Sequence, residues 1–448
     1  MIIRQKSFYA GFFKLLAVIV LQNVIVLSVN LADNIMIGGY SESALAGVAA
    51  VNQVQFVYHQ LVLAIGDALV ALASQYWGQN RTEPIIRVAS AAFLLSVAIG
   101  ILLFVVCALF PQKIMSLFTP YPAIIEQGVA YLEIIKYSYL TFAFTAAMLA
   151  MMRSVEVVKI AFYISLSTLV INCGINYLLI GGNMGAPEMG VRGAAIGTLV
   201  ARIVEFIIAL CYILFIDKKI RFGFCDFFRL KRSYFADYIK NCIPFLITGV
   251  IFGVSTALQT VILGHMSENA IAANSASNAI YQLLKVVIIS SASAAAVHIG
   301  KAVGEGDMPR IKNLAHTFQV LFICFGILVS ISLFLVRLPI LSLYDLSPET
   351  RALAESFVLV LCITCIGTSY QMPVSCGIVR GGGDSKFVMI NDLISLWGIV
   401  LPLSFLGAFV WHWHPVVVVA CLNSDQVFKC IAASVKVNRY RWIKKLTR

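Results

Sequence analysis

The feature that most constrains this chain is a series of apolar runs, each about twenty residues long, that recur along the whole sequence. A run of that length forms a helix that crosses roughly 30 Å of hydrocarbon. The alternation of about ten residues that is typical of a membrane β-barrel is not found. The sequence therefore predicts an all-α integral membrane protein with twelve transmembrane helices. The predicted segments are 12–37, 44–76, 85–110, 125–150, 160–181, 190–215, 242–264, 270–297, 313–336, 350–376, 387–411 and 415–435.

Composition and the placement of charge support a membrane protein. Charged residues make up only 12% of the chain, about half of what a soluble domain carries. The net charge is +12, but 24 of the 33 lysines and arginines lie in segments on one side of the predicted membrane. The loops on the other side hold only Lys113, Arg192, Arg337 and Arg351. By the positive-inside rule we expect both termini in the cytoplasm, the lipid bilayer as a partner and no nucleic-acid partner.

The two halves of the chain repeat each other at a shift of 226 residues, as the pairs Gly38 and Gly264, Asn52 and Asn278, and Gly78 and Gly304 show. An even number of helices in each half keeps both halves in the same orientation. We therefore predict two six-helix lobes that are related by a pseudo-two-fold axis along the membrane normal. The predicted organisation is an N-lobe (1–216), a basic cytoplasmic linker (217–241), a C-lobe (242–436) and a basic cytoplasmic tail (437–448).

Asp33 is the most informative charged residue, because an ionisable side chain inside a bilayer costs about 2.5–3.5 kcal/mol on insertion scales. Together with Asn23, Asn30 and Asn34 it forms a polar stripe on the first segment. Such a stripe is expected to face the protein interior rather than lipid. A carboxyl group held there suits reversible protonation. The alternative is an aspartate that only caps the outer end of the helix.

A second polar face runs along the fifth segment, where Ser165, Thr168, Asn172 and Asn176 are three or four residues apart. Thr198 lies near the middle of the sixth segment.

Two charged pairs have the spacing of ion pairs on a helix. Arg202 and Glu205 are three residues apart, and Asp425 and Lys429 are four apart. Oppositely charged side chains at these spacings are neighbours on one helix face. We interpret both pairs as structural.

Polar residues also recur at matching positions in the second and eighth segments. At the shift of 226, His59 corresponds to Lys285, and Asp33 corresponds to Gln259. These residues either line a central substrate cavity or form hydrogen bonds between helices. The predicted cavity residues are Asn30, Asn34, Asn52, Gln55, His59, Gln259, Asn278, Tyr281, Gln282 and Lys285.

Four stretches make the chain similar to the multidrug and toxic compound extrusion (MATE) family. They are Leu-Ala-Asp-Asn-Ile-Met-Ile-Gly at 31–38, the run 172–182 with 187–195, Arg-Gly-Gly-Gly-Asp-Ser-Lys at 380–386, and Leu-Pro-Leu at 401–403. The resemblance spans essentially the whole chain. It implies a secondary active antiporter, not an enzyme, that exports small organic solutes by alternating access in exchange for H⁺ or Na⁺. No cofactor is implied, and we expect a monomer in the plasma or inner membrane of the cell.

The resemblance also implies a cation-coupling site at Asp33, Asn172, Asn176 and Thr198. Many members of the family carry a second acid where Asn176 stands. With one carboxylate fewer, H⁺ is the preferred coupling ion, and Na⁺ at the Asp33 site is the alternative. The seventh segment contains no acid, so we do not expect the second cation site that some relatives have there. The alternatives for function are a related lipid-linked glycan flippase, a membrane-embedded enzyme or a channel.

Overall fold

The computed structural model of the protein describes residues 2–228, 230–342 and 347–447. Over these residues the chain forms sixteen α-helices and no β-strand. The helices are α1 (Lys6–Gly38), α2 (Glu42–Gly78), α3 (Thr82–Leu109), α4 (Pro111–Ser116), α5 (Pro122–Ile135), α6 (Ser138–Ser154), α7 (Lys159–Leu179), α8 (Val191–Cys211), α9 (Arg232–Gly264), α10 (Glu268–Glu305), α11 (Met308–Leu341), α12 (Pro348–Met372), α13 (Ser385–Asp392), α14 (Leu401–Phe409), α15 (Pro415–Leu422) and α16 (Asp425–Asn438). Short π-helical stretches continue α8, α12 and α13.

The number of membrane spans agrees with the prediction. Eleven helical segments of the described chain are long and apolar enough to cross a bilayer, and there are twelve when the bent pair α5 and α6 is counted as one span. The two helices of this pair meet at an angle of 54°. The predicted all-α membrane fold is therefore confirmed, and the fourth segment (125–150) differs in being bent rather than straight.

The bend between α5 and α6 follows from a local change in the backbone hydrogen bonds. The Tyr137 N–H donates to the Ile134 carbonyl (3.3 Å), and the Tyr139 N–H donates to the Lys136 carbonyl (3.2 Å). These bonds reach back three residues instead of four, which tightens the turn. The Ser138 hydroxyl donates to the Ile135 carbonyl (2.6 Å) and satisfies a backbone group at the break.

The internal repeat is visible in the helix boundaries. The first helices of the two halves begin at Lys6 and Arg232, and the second helices begin at Glu42 and Glu268. Both pairs keep the shift of 226 residues that the sequence shows. The connection between the two halves is shorter than the predicted linker (217–241), because α9 already begins at Arg232.

The described chain divides into two compact units. The C-terminal unit comprises Met1–Leu16, Ser74–Gln79 and Ile243–Arg448, and the N-terminal unit comprises Ala17–Ala73 and Asn80–Cys242. The prediction placed all of 1–216 in one lobe, whereas the structure groups the start of α1 and the end of α2 with the second half. The division crosses the first helix of each half at equivalent positions, because Leu16 and Cys242 are related by the same shift of 226.

Aromatic packing explains this grouping. Within the C-terminal unit, the Phe12 ring lies 5.1 Å from that of Phe318 and 6.0 Å from that of His298. Within the N-terminal unit, Tyr238 at the start of α9 is fully buried and donates a hydrogen bond to the Ile65 carbonyl (2.8 Å). Phe12 and Tyr238 occupy equivalent places in the repeat. Each residue packs the start of its helix against the unit that contains the residues it contacts.

The segment after α16, predicted as a basic tail, is packed against the C-terminal unit. Trp442 is fully buried, and its ring lies close to Gly382. A Cβ atom on residue 382 would be only 2.1 Å from the Trp442 ring. The Lys444 N–H donates to the Gly382 carbonyl (2.8 Å). Gln75 at the end of α2 bonds the same segment twice, donating to the Lys444 carbonyl (3.2 Å) and accepting from the Leu446 N–H (2.8 Å). We call residues 439–447 the C-terminal strap.

Asp384 forms two ion pairs, one with Lys444 of the strap and one with Lys436 of α16. Its carboxylate oxygens lie 2.7 Å from Lys436 Nζ and 2.8 Å from Lys444 Nζ, and the side chain is 3% exposed. Burial by itself raises the pKa of this carboxyl group. The hydrogen bonds and positive charges of the two lysines outweigh burial, so that the pKa of Asp384 lies below its usual value.

Candidate functional site

A small polar cavity lies inside the N-terminal unit, with a volume of about 60 Å³. Ligand pockets for drug-sized molecules have volumes of roughly 300–1,000 Å³. In this conformation the cavity therefore has room for water or a small ion but not for an organic solute. Six predicted site residues that line it come from α1 and α2: Asn30, Asp33, Asn34, Asn52, Gln55 and His59. We call this space the Asp33 cavity.

The four residues predicted to couple cations form a continuous chain of hydrogen bonds. The Asn176 amide donates to Asp33 Oδ1 (2.6 Å) and to Asn172 Oδ1 (3.3 Å). The Asn172 amide in turn donates to Thr198 Oγ1 (3.2 Å). Both asparagines lie one turn apart on α7 and are fully buried. The structure thus connects α1, α7 and α8 through side chains that lie far apart in the sequence.

Asn176 has an acceptor that is not used. Its Oδ1 atom is buried, and no donor from the described part of the chain reaches it. This oxygen lies against the backbone of α8 at Gly197, where a Cβ atom would be only 2.1 Å away. Glycine is therefore required at 197 for Asn176 to keep its place beside Asp33. A buried acceptor without a donor is costly, and near a carboxyl group it is a natural partner for a proton or a cation.

The predicted ion pair of α8 borders the same cavity. Arg202 Nη1 lies 2.8 Å from Glu205 Oε2. The Arg202 guanidinium group also lies over the Phe142 ring, 4.9 Å from its centre. The His59 ring also packs on Phe142, with the two ring centres 4.3 Å apart. Arg202 lines the cavity, whereas Glu205 is buried behind it.

The predicted cavity residues of the second half lie in the C-terminal unit. Asn278, Tyr281 and Lys285 share one face of α10, and Lys285 Nζ lies 5.5 Å from the centre of the Tyr281 ring. Gln282 is exposed on α10, and Gln259 is half-buried on α9. These residues are not part of the Asp33 cavity.

The predicted pair of Asp425 and Lys429 belongs to a larger network. Lys429 Nζ lies 3.0 Å from Asp425 Oδ2 and 2.9 Å from Asp392 Oδ1. Arg380 approaches the other oxygen of Asp392 at 3.8 Å. All four side chains are largely buried. The sequence indicated the contact within α16, but the contacts to Asp392 and Arg380 depend on helix packing.

Several residues of the Asp33 cavity were not predicted. Tyr131, Tyr139 and Phe142 line it from the bent pair of α5 and α6, and Gly197 supports it from α8. Aromatic residues in an apolar segment resemble ordinary lipid-facing or core residues, so the sequence carried no signal for them. The bend between α5 and α6 is what places these rings beside Asp33.

The Asp33 cavity contains one carboxylate, that of Asp33, and one guanidinium group, that of Arg202. Within the described residues, no group of three or more His, Cys, Asp or Glu side chains is placed to hold a metal ion. The other side chains that line the cavity are amides, hydroxyls, aromatic rings, the His59 imidazole and aliphatic groups. Such a site can bind and release a proton, or hold a monovalent cation through carbonyl and hydroxyl oxygens, and it contains no arrangement typical of hydrolysis.

A comparison with protein-family models identifies the chain. The model described as MatE matches residues 19–178 and 244–406, which together exceed two thirds of the sequence. The chain belongs to the MATE family of transporters. It is therefore a multi-pass membrane transporter and not an enzyme. The MatE model matches each half of the chain once, in agreement with the internal repeat.

Individual proteins show the same relationship. The uncharacterized transporter YisQ of Bacillus subtilis (strain 168) is 23% identical over 385 residues, covering 84% of this chain and 82% of that protein. A crystal structure of a variant of the Vibrio cholerae MATE transporter VcmN superposes with a TM-score of 0.88 at 17% identity and covers 98% of both chains. An outward-facing multidrug resistance MATE transporter of the MOP superfamily has a TM-score of 0.85 at 18% identity, covering 96% of this chain and 95% of that one. These structures share the MATE fold with this chain.

Proposed function

We propose that this MATE family transporter is a secondary active antiporter that exports a small organic solute in exchange for H⁺, with coupling at Asp33. The observation that carries the proposal is the 2.6 Å hydrogen bond from Asn176 to the Asp33 carboxylate inside a buried polar cavity. No lysine, arginine or histidine of the described chain pairs with this carboxylate as a salt bridge. A carboxyl group in that position changes its charge when a proton binds.

Protonation of Asp33 changes the hydrogen bonds that hold α1 to α7. An ionised carboxylate accepts a charge-assisted bond from the Asn176 amide, which is stronger than a bond between neutral groups. A protonated Asp33 is a weaker acceptor and itself becomes a donor. The unused Asn176 Oδ1 then provides an acceptor once the amide reorients. The proton thus selects between two arrangements of the same residues, which is what an alternating-access cycle requires.

The number of carboxylates favours H⁺ over Na⁺. Asp33 is joined by Asn172, Asn176 and Thr198, which carry no charge. One carboxylate is neutralised completely by one proton. A Na⁺ ion at the same site would depend on neutral oxygens for the rest of its ligands, which remains the alternative for coupling.

The direction of transport follows from the expected orientation in the membrane. We place both termini in the cytoplasm from the positive-inside distribution of lysine and arginine. Asp33 then lies near the outer end of α1, where a proton from outside reaches it. The solute leaves in the opposite direction, and the protein acts as a monomer in the cell membrane.

The test is proton-coupled transport in proteoliposomes. Purified protein is reconstituted, a pH gradient is imposed, and solute and proton flux are measured together in the wild type and in Asp33→Asn. We expect solute flux that depends on the gradient in the wild type and no coupled proton flux in the variant. Asp67→Asn is the matched control, because Asp67 pairs with Arg153 at 3.0 Å, is half exposed and lies outside the Asp33 cavity.

Normal coupled proton flux in Asp33→Asn would refute the proposal. Solute movement that ignores the gradient would instead favour a channel or a flippase.

A further inference from the structure

Lys285 lies near the middle of a membrane-spanning helix. It is 17 residues from the start of α10 and 20 from its end, which places it about 25 Å and 30 Å from the two ends at the helical rise. A charge at such a depth has a functional or structural reason in most membrane proteins. Among the residues that the structure describes, Lys285 lacks the usual structural reason, an ion pair.

Asp425, the carboxylate whose charge acts on Lys285, is already paired with Lys429. Asp425 and Asp392 both contact Lys429, at 3.0 Å and 2.9 Å, and Arg380 approaches Asp392 at 3.8 Å. Two acids are thus matched by two basic residues, and Lys285 adds a third positive charge. Over the described residues, its ammonium group forms neither an ion pair nor a hydrogen bond. This part of the C-terminal unit therefore carries an excess of one positive charge.

Aromatic rings flank the Lys285 ammonium group. Its Nζ lies 5.5 Å from the centre of the Tyr281 ring and 6.0 Å from that of the Phe252 ring. Contacts at these distances stabilise a cation but leave its three N–H donors unused. Asn278, one to two turns away on the same face of α10, adds a polar side chain. The surroundings suit a flat solute that carries an acidic group.

We propose that Lys285, between Tyr281 and Phe252, binds the acidic group of a planar aromatic solute. The ammonium group forms the ion pair that the protein itself does not supply, and the two rings contact the solute's aromatic part. This assignment rests on the proposed export function, since it names the class of solute. It makes organic anions and zwitterions substrates of this transporter.

Equivalent positions of the internal repeat show that the two halves differ in charged residues. At the shift of 226, Asp33 corresponds to Gln259, and His59 corresponds to Lys285. The second half thus lacks the acid of the first half and carries a lysine where the first half has a histidine packed against Phe142. The two halves share one backbone plan but differ in charge at these equivalent positions.

Two xanthene dyes of opposite charge provide the test. Fluorescein is anionic and rhodamine 6G is cationic, and both have the same three-ring core. Binding to the full-length protein in detergent is measured by fluorescence anisotropy at pH 8, with empty micelles as the blank. The variants are Lys285→Met, which removes the charge, and Lys285→Arg, which restores it. Lys312→Gln is the matched control, because Lys312 lies 5.2 Å from the Tyr440 ring but is exposed near a helix end.

We expect the wild type to bind fluorescein and Lys285→Met to raise the fluorescein Kd at least about tenfold, as the loss of a charge-assisted contact predicts. The Kd for rhodamine 6G should change less than about twofold, and Lys285→Arg should restore fluorescein binding. A wild type that does not bind fluorescein, an unchanged fluorescein Kd in Lys285→Met, or equal weakening of both dyes would overturn the proposal. The assay needs no ion gradient, so its outcome is independent of whether transport is coupled to protons.

Discussion

The amide of Asn176 donates a 2.6 Å hydrogen bond to the carboxylate of Asp33, which lies 143 residues earlier in the chain. This bond joins α7 to α1 inside the N-terminal unit and gives Asp33 a partner that is polar but uncharged. A charged partner would hold the carboxylate permanently ionised, whereas an amide allows both protonation states. The contact therefore determines how the site responds to a proton.

Replacing Asn176 by aspartate should change the ion that the transporter uses. Asn176→Asp places a second carboxylate beside Asp33, and two adjacent carboxylates repel each other unless a cation lies between them. We expect a Na⁺ gradient, without a pH gradient, to drive solute flux in this variant several-fold faster than in the wild type. The measurement is dye efflux from proteoliposomes, with Asn241→Asp on α9 as the control. Equal responses to Na⁺ in the variant and the wild type would contradict this prediction.

Gly197→Ala should disrupt the site by steric contact alone. The new methyl group would lie 2.1 Å from Asn176 Oδ1 and would push the side chain away from Asp33. We expect loss of coupled transport and a destabilisation of about 1–3 kcal/mol, which is typical of overpacking. Gly174→Ala is the control, because no atom lies within 4 Å of a Cβ at that position. The two variants are compared by flux and by thermal unfolding in detergent, and equal behaviour would argue against the role of Gly197.

The ion pair of Arg202 and Glu205 should be sensitive to the loss of either partner. Glu205 is 9% exposed as a side chain, so Glu205→Gln leaves the positive charge of Arg202 without its partner. Breaking a buried pair in this way costs about 3–5 kcal/mol. The exposed pair of Arg87 and Glu83 provides the comparison, because Glu83→Gln should cost less than about 1 kcal/mol. Thermal unfolding of both variants measures the two losses of stability, and equal losses would contradict this prediction.

The C-terminal strap should become less stable at low pH. The pKa of Asp384 is lowered in the folded protein by Lys436 and Lys444 against the opposing effect of burial. Its contribution to stability is therefore complete above the ordinary aspartate pKa of about 4 and is lost as the pH falls through the lower folded value. We expect wild type and Asp384→Asn to differ in stability at neutral pH and to converge below about pH 4. Limited proteolysis of the strap as a function of pH measures this, and a difference that persists at low pH would contradict it.

Two lysine variants distinguish the loss of the ion pair from the loss of one positive charge in the strap. Lys444→Gln removes a 2.8 Å contact to Asp384. Lys445→Gln changes the net charge equally at an exposed neighbour. Only the first variant should increase cleavage of the strap.

Much of the fold could be predicted from the sequence. Apolar run length determined the number of spans, because a bilayer admits few alternatives to helices of about twenty residues. The repeat at 226 residues determined which helices correspond, and α1 and α9 begin at that spacing in the structure. The strap and the bend between α5 and α6 were not predictable, since Trp442 and Ser138 carry no local signal for the contacts they make.

By itself, the sequence determined that the chain spans a membrane in two related halves and that Asp33 is a carboxyl group that needs a polar surrounding. These properties follow from composition and periodicity, which act through the free energy of placing each residue in lipid. Tertiary structure alone decided which groups meet Asp33 and which charges remain unpaired. Packing α7 against α1 and α8 brings Asn176 to the carboxylate and makes Gly197 essential. Packing α16 against α13 pairs Lys429 with Asp392, and no acid in the described ranges pairs with Lys285. Such contacts depend on distances between helices that no local pattern encodes.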